Sequence, residues 1–124
     1  MRLGWIFLAG GVGALLRYGL SGWVQERAGD AFPWGTLAVN VAGCFAVGVL
    51  ATAFAERSAL SPELRLALLV GLLGGFTTFS AFGLETWRLL EDAQPGRALA
   101  NALGSVAAGL VAVGAGAAVS RWLP

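Results

Sequence analysis

The sequence predicts an all-α integral membrane protein of four transmembrane helices. Three observations carry this reading. Of 124 residues, 57% are hydrophobic and only 12% charged, whereas a soluble domain carries about a quarter charged. The charged residues cut the chain into four long apolar runs, 3–24, 34–55, 66–84 and 98–120. All five tryptophans, Trp5, Trp23, Trp34, Trp87 and Trp122, fall at the ends of those runs, where indoles anchor in the membrane interface. The length suits one domain, 1–124.

Run one, Leu3 to Val24, is interrupted only by Arg17. With Arg2 ahead of it, it has the outline of a signal peptide. Cleavage would leave three spans, and the run outreaches the usual signal core, so a first span is the better reading. Run two, Trp34 to Ala55, is uncharged and follows Pro33; a helix start tolerates the missing N–H. Run three, Leu66 to Leu84, is preceded by Ser61-Pro62-Glu63, which reads as an N-cap, a proline and a first-turn acid. Run four, Ala98 to Ser120, is uncharged. About 20 residues at ~1.5 Å each cross a ~30 Å hydrocarbon core. Lipid forces the backbone to satisfy its own hydrogen bonds, which selects helices over strands. The connections, roughly 25–33, 56–65 and 85–97, leave no room for an extramembrane domain.

Several function classes are excluded. There is no His and no Lys; eight Arg leave a net charge of +1. That removes histidine metal sites, histidine bases and the Ser-His-Asp arrangement, and nothing resembles a nucleic-acid surface. Cys44 is the single cysteine, inside an apolar run, and reads as a small buried hydrophobe. GGVG in run one lacks the strand and helix context of a dinucleotide fingerprint. An enzyme is not expected.

Four spans put both termini and the middle loop on one side. That side carries Arg2, Arg57, Arg65 and Arg121; the other carries Arg17, Arg27, Arg88 and Arg97. Arginine bias sets orientation, so a balanced count leaves orientation ambiguous or, in the sharper reading, predicts insertion both ways. Small residues, Gly71-x-x-x-Gly75 and Gly10, Gly11, Gly13 and Ala14, suit close helix contacts, within one subunit or between two. Four short helices barely enclose a polar path, which favours an oligomer.

Polar residues recur at membrane depth. Thr36 and Asn40 share a face of run two; Asn101, Ser105 and Gly109 share one of run four; run three adds Thr77, Thr78 and Ser80. One such residue reads as interhelical glue; a set over three helices reads better as a polar path. The path lacks a central carboxylate, since the nearest, Glu85, sits at the end of run three beside Trp87 and Arg88. Neutral donors suit an anion better than a cation or proton carrier. Arg17 either snorkels to the interface or lines a vestibule that concentrates anions.

The stretch GLLGGFTTFSAF, 71–82, is unusual for a span. Gly74-Gly75 weakens the helix by about 1 kcal/mol per glycine relative to alanine, and the threonine hydroxyls compete for backbone bonds. The expectation is a third helix broken near its middle at the glycines, freeing carbonyls that protein, water or an ion must satisfy. Phe79 and Phe82, three apart, can project to one side, and a ring edge is positive enough to meet an anion. Glycines for close packing and phenylalanines facing lipid are the plainer alternative.

Three strings, GGVGALLRYGLS at 10–21, PWGTLAVNVAGCF at 33–45 and GLLGGFTTFSAF at 71–82, resemble the bacterial fluoride channels of the CrcB/Fluc type, and the likeness covers all four spans. The resemblance implies a dual-topology antiparallel homodimer with two pores, in the bacterial inner membrane. It implies a structural Na⁺ at the dimer interface, held by the carbonyls of Gly74 and Thr77. It makes Phe79 and Phe82 the ring edges of the pore, Asn40 its amide donor, Thr36, Ser80, Ser105 and Asn101 its further polar lining, Glu85 a residue toward a pore end, and Arg17 a vestibule residue. Two departures stand out: Ala81 where the family often has threonine, and Gly109 where its fourth span often carries another hydroxyl or a tyrosine. Which hydroxyls relay the ion is therefore open. The implied activity is passive, fluoride-selective export that relieves fluoride toxicity. A small four-span proton-coupled cation or drug antiporter is the alternative, and it would need a core carboxylate that run one lacks.

Overall fold

The computed structural model describes residues 1–57 and 60–124, and every regular element among them is helical. Four helices are long and apolar enough to cross a membrane: Arg2–Ala28, Trp34–Glu56, Pro62–Glu91 and Pro95–Trp122. They overrun the apolar stretches because end charges point into the interface without breaking the backbone ladder. The connection predicted over 56–65 includes residues 58 and 59, which lie outside the described residues.

The first span is α1 (Arg2–Ala28), closed by Gly29 at a positive φ of 87°. The second is α2 (Trp34–Glu56). The third is composite: α3 (Pro62–Leu66), a π-helical stretch (Ala67–Leu73), α4 (Gly74–Phe76) and, beyond a break, α5 (Phe79–Glu91). The fourth is α6 (Pro95–Trp122), which begins with its proline at the first turn. Ser61 caps α3 as its sequence predicts, its hydroxyl accepting from the Leu64 N–H at 3.3 Å.

Packing runs in two parallel pairs, α2 with α6 and α1 with the first half of the third span. Lipid gives helices no reason to hide leucine, so close approach must come from small residues. Gly48 lies on the Val113 carbonyl, and Gly116 on the Phe45 carbonyl, leaving no space for a β-carbon. Gly13 meets the backbone of Leu72 and Phe76, and Gly75 that of Gly10. The Gly71-x-x-x-Gly75 face is thus used within the chain, against α1, and ceases to argue for a second copy. At one end of the α2/α6 pair, Arg57 donates to the Ser120 hydroxyl at 3.0 Å and to the Ser120 and Leu123 carbonyls, closing the C-terminus of α6. All five tryptophans are exposed on the outside of the bundle.

Candidate functional site

The break in the third span begins two residues beyond the glycine pair expected to cause it. Gly74 is helical (φ −63°, ψ −38°), and the chain leaves the helix at Thr77 (φ −86°, ψ 158°) and Thr78 (φ −149°, ψ 117°). Gly75 is spent on the close approach to α1. The β-branched threonines are the residues that favour extended backbone, and their hydroxyls finish both ends. Thr77 Oγ1 donates to the Leu73 carbonyl at 3.0 Å. Thr78 Oγ1 accepts from the Ala81 N–H at 3.2 Å and so caps α5.

Two side chains from neighbouring spans hold the break. Asn40 Nδ2 donates to the Thr78 carbonyl at 2.9 Å, and Asn40 Oδ1 accepts from the Thr78 N–H at 2.8 Å. The side chain thus stands in for a strand partner, and its amide keeps one N–H to give elsewhere. Arg17 Nε donates to the Gly75 carbonyl at 3.2 Å, one of the carbonyls that a helix end leaves orphaned. Among the described residues, no N–H outside the helical ladders donates to the Gly74 or Thr77 carbonyl. Neutral carbonyl oxygens of this kind would suit a hard monovalent cation. No cluster of three or more His, Cys, Asp or Glu that suits a more highly charged metal occurs among those residues.

Phe79 and Phe82 stand together, ring centroids 5.5 Å apart and tilted by 42°. They line an open cleft of about 400 Å³ with Asn40, Thr77, Thr78 and Ser105. Among the described residues, no charged one lines it. Phe79 is 82% exposed, and Ser80 is exposed with its hydroxyl 3.4 Å from that of Thr78. A second cavity, of about 320 Å³, continues toward one end and is lined by Arg17, Thr36, Thr78, Ala81 and Glu85. Thr36 is buried and donates to Glu85 Oε1 at 2.7 Å. Glu85 Oε2 is buried without a partner. Glu85 is therefore packed between helices, not simply an interfacial charge beside Trp87 and Arg88.

Of the run-four candidates, Ser105 reaches the cleft wall and Asn101 does not. Asn101 is 2% exposed and donates from Nδ2 to Thr86 Oγ1 at 2.9 Å; Thr86 Oγ1 donates in turn to the Phe82 carbonyl at 2.7 Å. Ser105 Oγ donates to Asn101 Oδ1 at 3.3 Å. Thr86 is the participant that the sequence reading left out; Thr78 entered it as a hydroxyl of the polar path. Run three ended at Leu84 on hydropathy, which consigned Thr86 to a connection; its spacing of four from Phe82 was the available signal.

The chain is similar to known proteins over nearly its whole length. Residues 4–117 match the family model described as CrcB-like protein, Camphor Resistance (CrcB). A protein of Geobacter sulfurreducens named fluoride-specific ion channel FluC is 51% identical over 118 residues, 95% of each chain. Proteins with the same name from Chloroflexus aurantiacus and Rhizobium leguminosarum bv. trifolii are 45% and 48% identical, over 94% and 95% of this chain and 93% and 94% of theirs.

Proposed function

The chain belongs to the CrcB-like protein family, and from that premise we propose that it is a passive, fluoride-selective membrane channel and not an enzyme. The observation that carries the reading is the wall of the open cleft: two phenylalanine rings beside an asparagine amide and hydroxyls, with no charged side chain. Fluoride is small and strongly hydrated, so a narrow pore must replace its water with donors. The remaining Asn40 N–H, the hydroxyls of Ser80 and Ser105, and the positive ring edges of Phe79 and Phe82 are such donors. Arg17 raises the local anion concentration at the adjoining cavity, and the Thr36–Glu85 pair forms the wall toward that end. Larger anions are refused by width and by poor replacement of their hydration. The antiporter alternative is not favoured, since the relatives carry a fluoride-channel name over nearly their whole length.

The functional unit is an antiparallel homodimer inserted both ways into the bacterial inner membrane. Its support is the balanced arginine count and a cleft whose Phe79 is bare in the single chain; a second copy would roof it. Gly74 and Thr77 of each copy would offer their carbonyls to one Na⁺ at the interface. When bound, such an ion would supply positive charge to balance the dipoles of the carbonyls that hold it.

The test is anion efflux from liposomes containing the purified protein, loaded with potassium fluoride or potassium chloride and opened to potassium. Fast fluoride release with little chloride release is expected, and Phe82→Ile should abolish most of it in a protein that remains dimeric. Absence of fluoride release from a dimer, or an unchanged rate in Phe82→Ile, would overturn the assignment. Labelling of a cysteine placed at Gln94, in a Cys44→Ala background, should reach half the copies from either side; labelling from one side only removes dual insertion.

A further inference from the structure

Three hydrogen bonds, one within α6, one from α6 to α5 and one within α5, form a directed chain that leads away from the cleft surface. The Ser105 hydroxyl donates to Asn101 Oδ1, the Asn101 amide donates to Thr86 Oγ1, and the Thr86 hydroxyl donates to the Phe82 carbonyl. Each hydroxyl has one proton, so that of Thr86 is committed to the pore helix and is not offered to an ion. Asn101 is buried behind the wall and does not line the cleft. The Asn101–Thr86 bond is a side-chain link from α6 to α5, and Gly83 of α5 has no neighbour within 4 Å of where its β-carbon would stand.

We propose that Asn101 is a positioning residue for ion selection, acting through the Thr86 hydroxyl on the Phe82 backbone and so setting where the Phe82 ring edge stands in the cleft. The proposal deepens the fluoride-channel reading and rests on it for its flux readout. A threonine bonded back to the carbonyl four residues earlier bends a helix, and here the amide from α6 holds that bond in place. Loss of either partner lets α5 turn or straighten. The ring edge then moves relative to Asn40 and Ser105, and selection of a small anion suffers before folding does.

The experiment uses the full-length protein in liposomes, with Thr86→Val, Asn101→Leu, the double variant and Thr86→Ser. Thr86→Val and Asn101→Leu should each slow fluoride efflux about tenfold, the scale of losing one net hydrogen bond, and each should raise chloride leakage relative to fluoride. The double variant should be no slower than the worse single, because both act through one link. Thr86→Ser restores rate and selectivity. A ¹⁹F spectrum of the protein carrying 4-fluorophenylalanine at position 82 should shift alike in Thr86→Val and Asn101→Leu, and not in Thr86→Ser. Should Asn101→Leu not fold, Thr86→Val, which removes only a hydroxyl, carries the test. Multiplying effects in the double variant, an unchanged chloride-to-fluoride ratio, or a ¹⁹F signal that ignores both substitutions would overturn the proposal. A wild-type protein without fluoride flux overturns the channel reading instead, and the ¹⁹F shifts then still decide whether Asn101 positions Phe82.

Discussion

The two halves of the third span are built on opposite principles. Residues 62–76 are seated by shape: Ala67, Gly71 and Leu73 are buried, and Gly71 and Gly75 press on the backbone of α1. The half beyond the break, Phe79–Glu91, buries no residue fully. It is held by hydrogen bonds instead: Asn40 to Thr78, Thr36 to Glu85, Asn101 to Thr86. Lipid tails are as apolar as leucine, so apolar burial cannot organise either half. Close packing fills space, and a wall that must stay open to an ion cannot be made that way. Polar links fix a helix at a distance and leave room beside it.

The sharpest way to break this comparison is to add carbon to each half. Gly13→Val drives a side chain into the backbone of Leu72 and Phe76 and should cost about 3 kcal/mol or more, the upper range for overpacking. The readout is loss of monodisperse protein and a lower Tm in detergent. Gly83→Ala, in open space, should gain up to about 1 kcal/mol from helix propensity. Equal losses at the two positions would abolish the distinction.

Next in size is the clasp at the junction. Asn40→Leu leaves the Thr78 N–H and carbonyl without the partners they have now, at about 1–3 kcal/mol for each buried group. Fluoride efflux should be lost as well, since the same amide holds the break and faces the cleft. A variant with wild-type Tm and no flux would show that Asn40 serves the ion alone.

Thr36→Val should weigh less. It removes the hydroxyl that donates to Glu85 Oε1, a net loss of about 1–3 kcal/mol for a hydrogen bond to an acidic group. Efflux should slow, with recovery in Thr36→Ser, which keeps the donor. No recovery in the serine variant would assign the threonine methyl, and hence packing, as the important part, and would blur the division between the two halves.

The spans and the polar faces were legible because hydropathy and a period of four are local properties. Thr36 with Asn40, and Asn101 with Ser105, could be paired on one face from spacing alone. What was not legible was which feature did which job. The pair Gly74-Gly75 looked like the break, but a glycine serves a bend or a close approach equally well, and only the position of Gly10 tells which. Thr77 and Thr78 read both as hydroxyls of a polar path and as competitors for backbone bonds; in the fold they form the break, and Thr78 caps α5. Glu85 read either as an interfacial charge or as a residue toward a pore end, because hydropathy ended its run at Leu84; in the fold Thr36 draws it among the helices. Asn101 shared a face with Ser105, yet one faces the cleft and the other lies behind it. A face is a sequence property, but depth from the wall depends on how α5 and α6 are turned toward each other.

Ser105 is the finest probe of the comparison, because it belongs to both kinds of contact. Its hydroxyl sits on the cleft wall and donates to Asn101 across 3.3 Å, longer than the ~2.7–2.8 Å usual for hydroxyl donors. A bond that long contributes little to stability and costs little to give up. In the proposed channel the proton would turn from Asn101 to an anion in the cleft and back, while the shorter Asn101–Thr86 and Thr86–Phe82 bonds stay made. Ser105→Ala should therefore leave Tm within the roughly ±0.5 kcal/mol equivalent of an unimportant surface change. Fluoride efflux should fall by about two- to threefold, the loss of one weak donor, with chloride exclusion intact. A drop in Tm as large as that of Thr36→Val would put Ser105 among the groups that hold α5, not among those that face the ion.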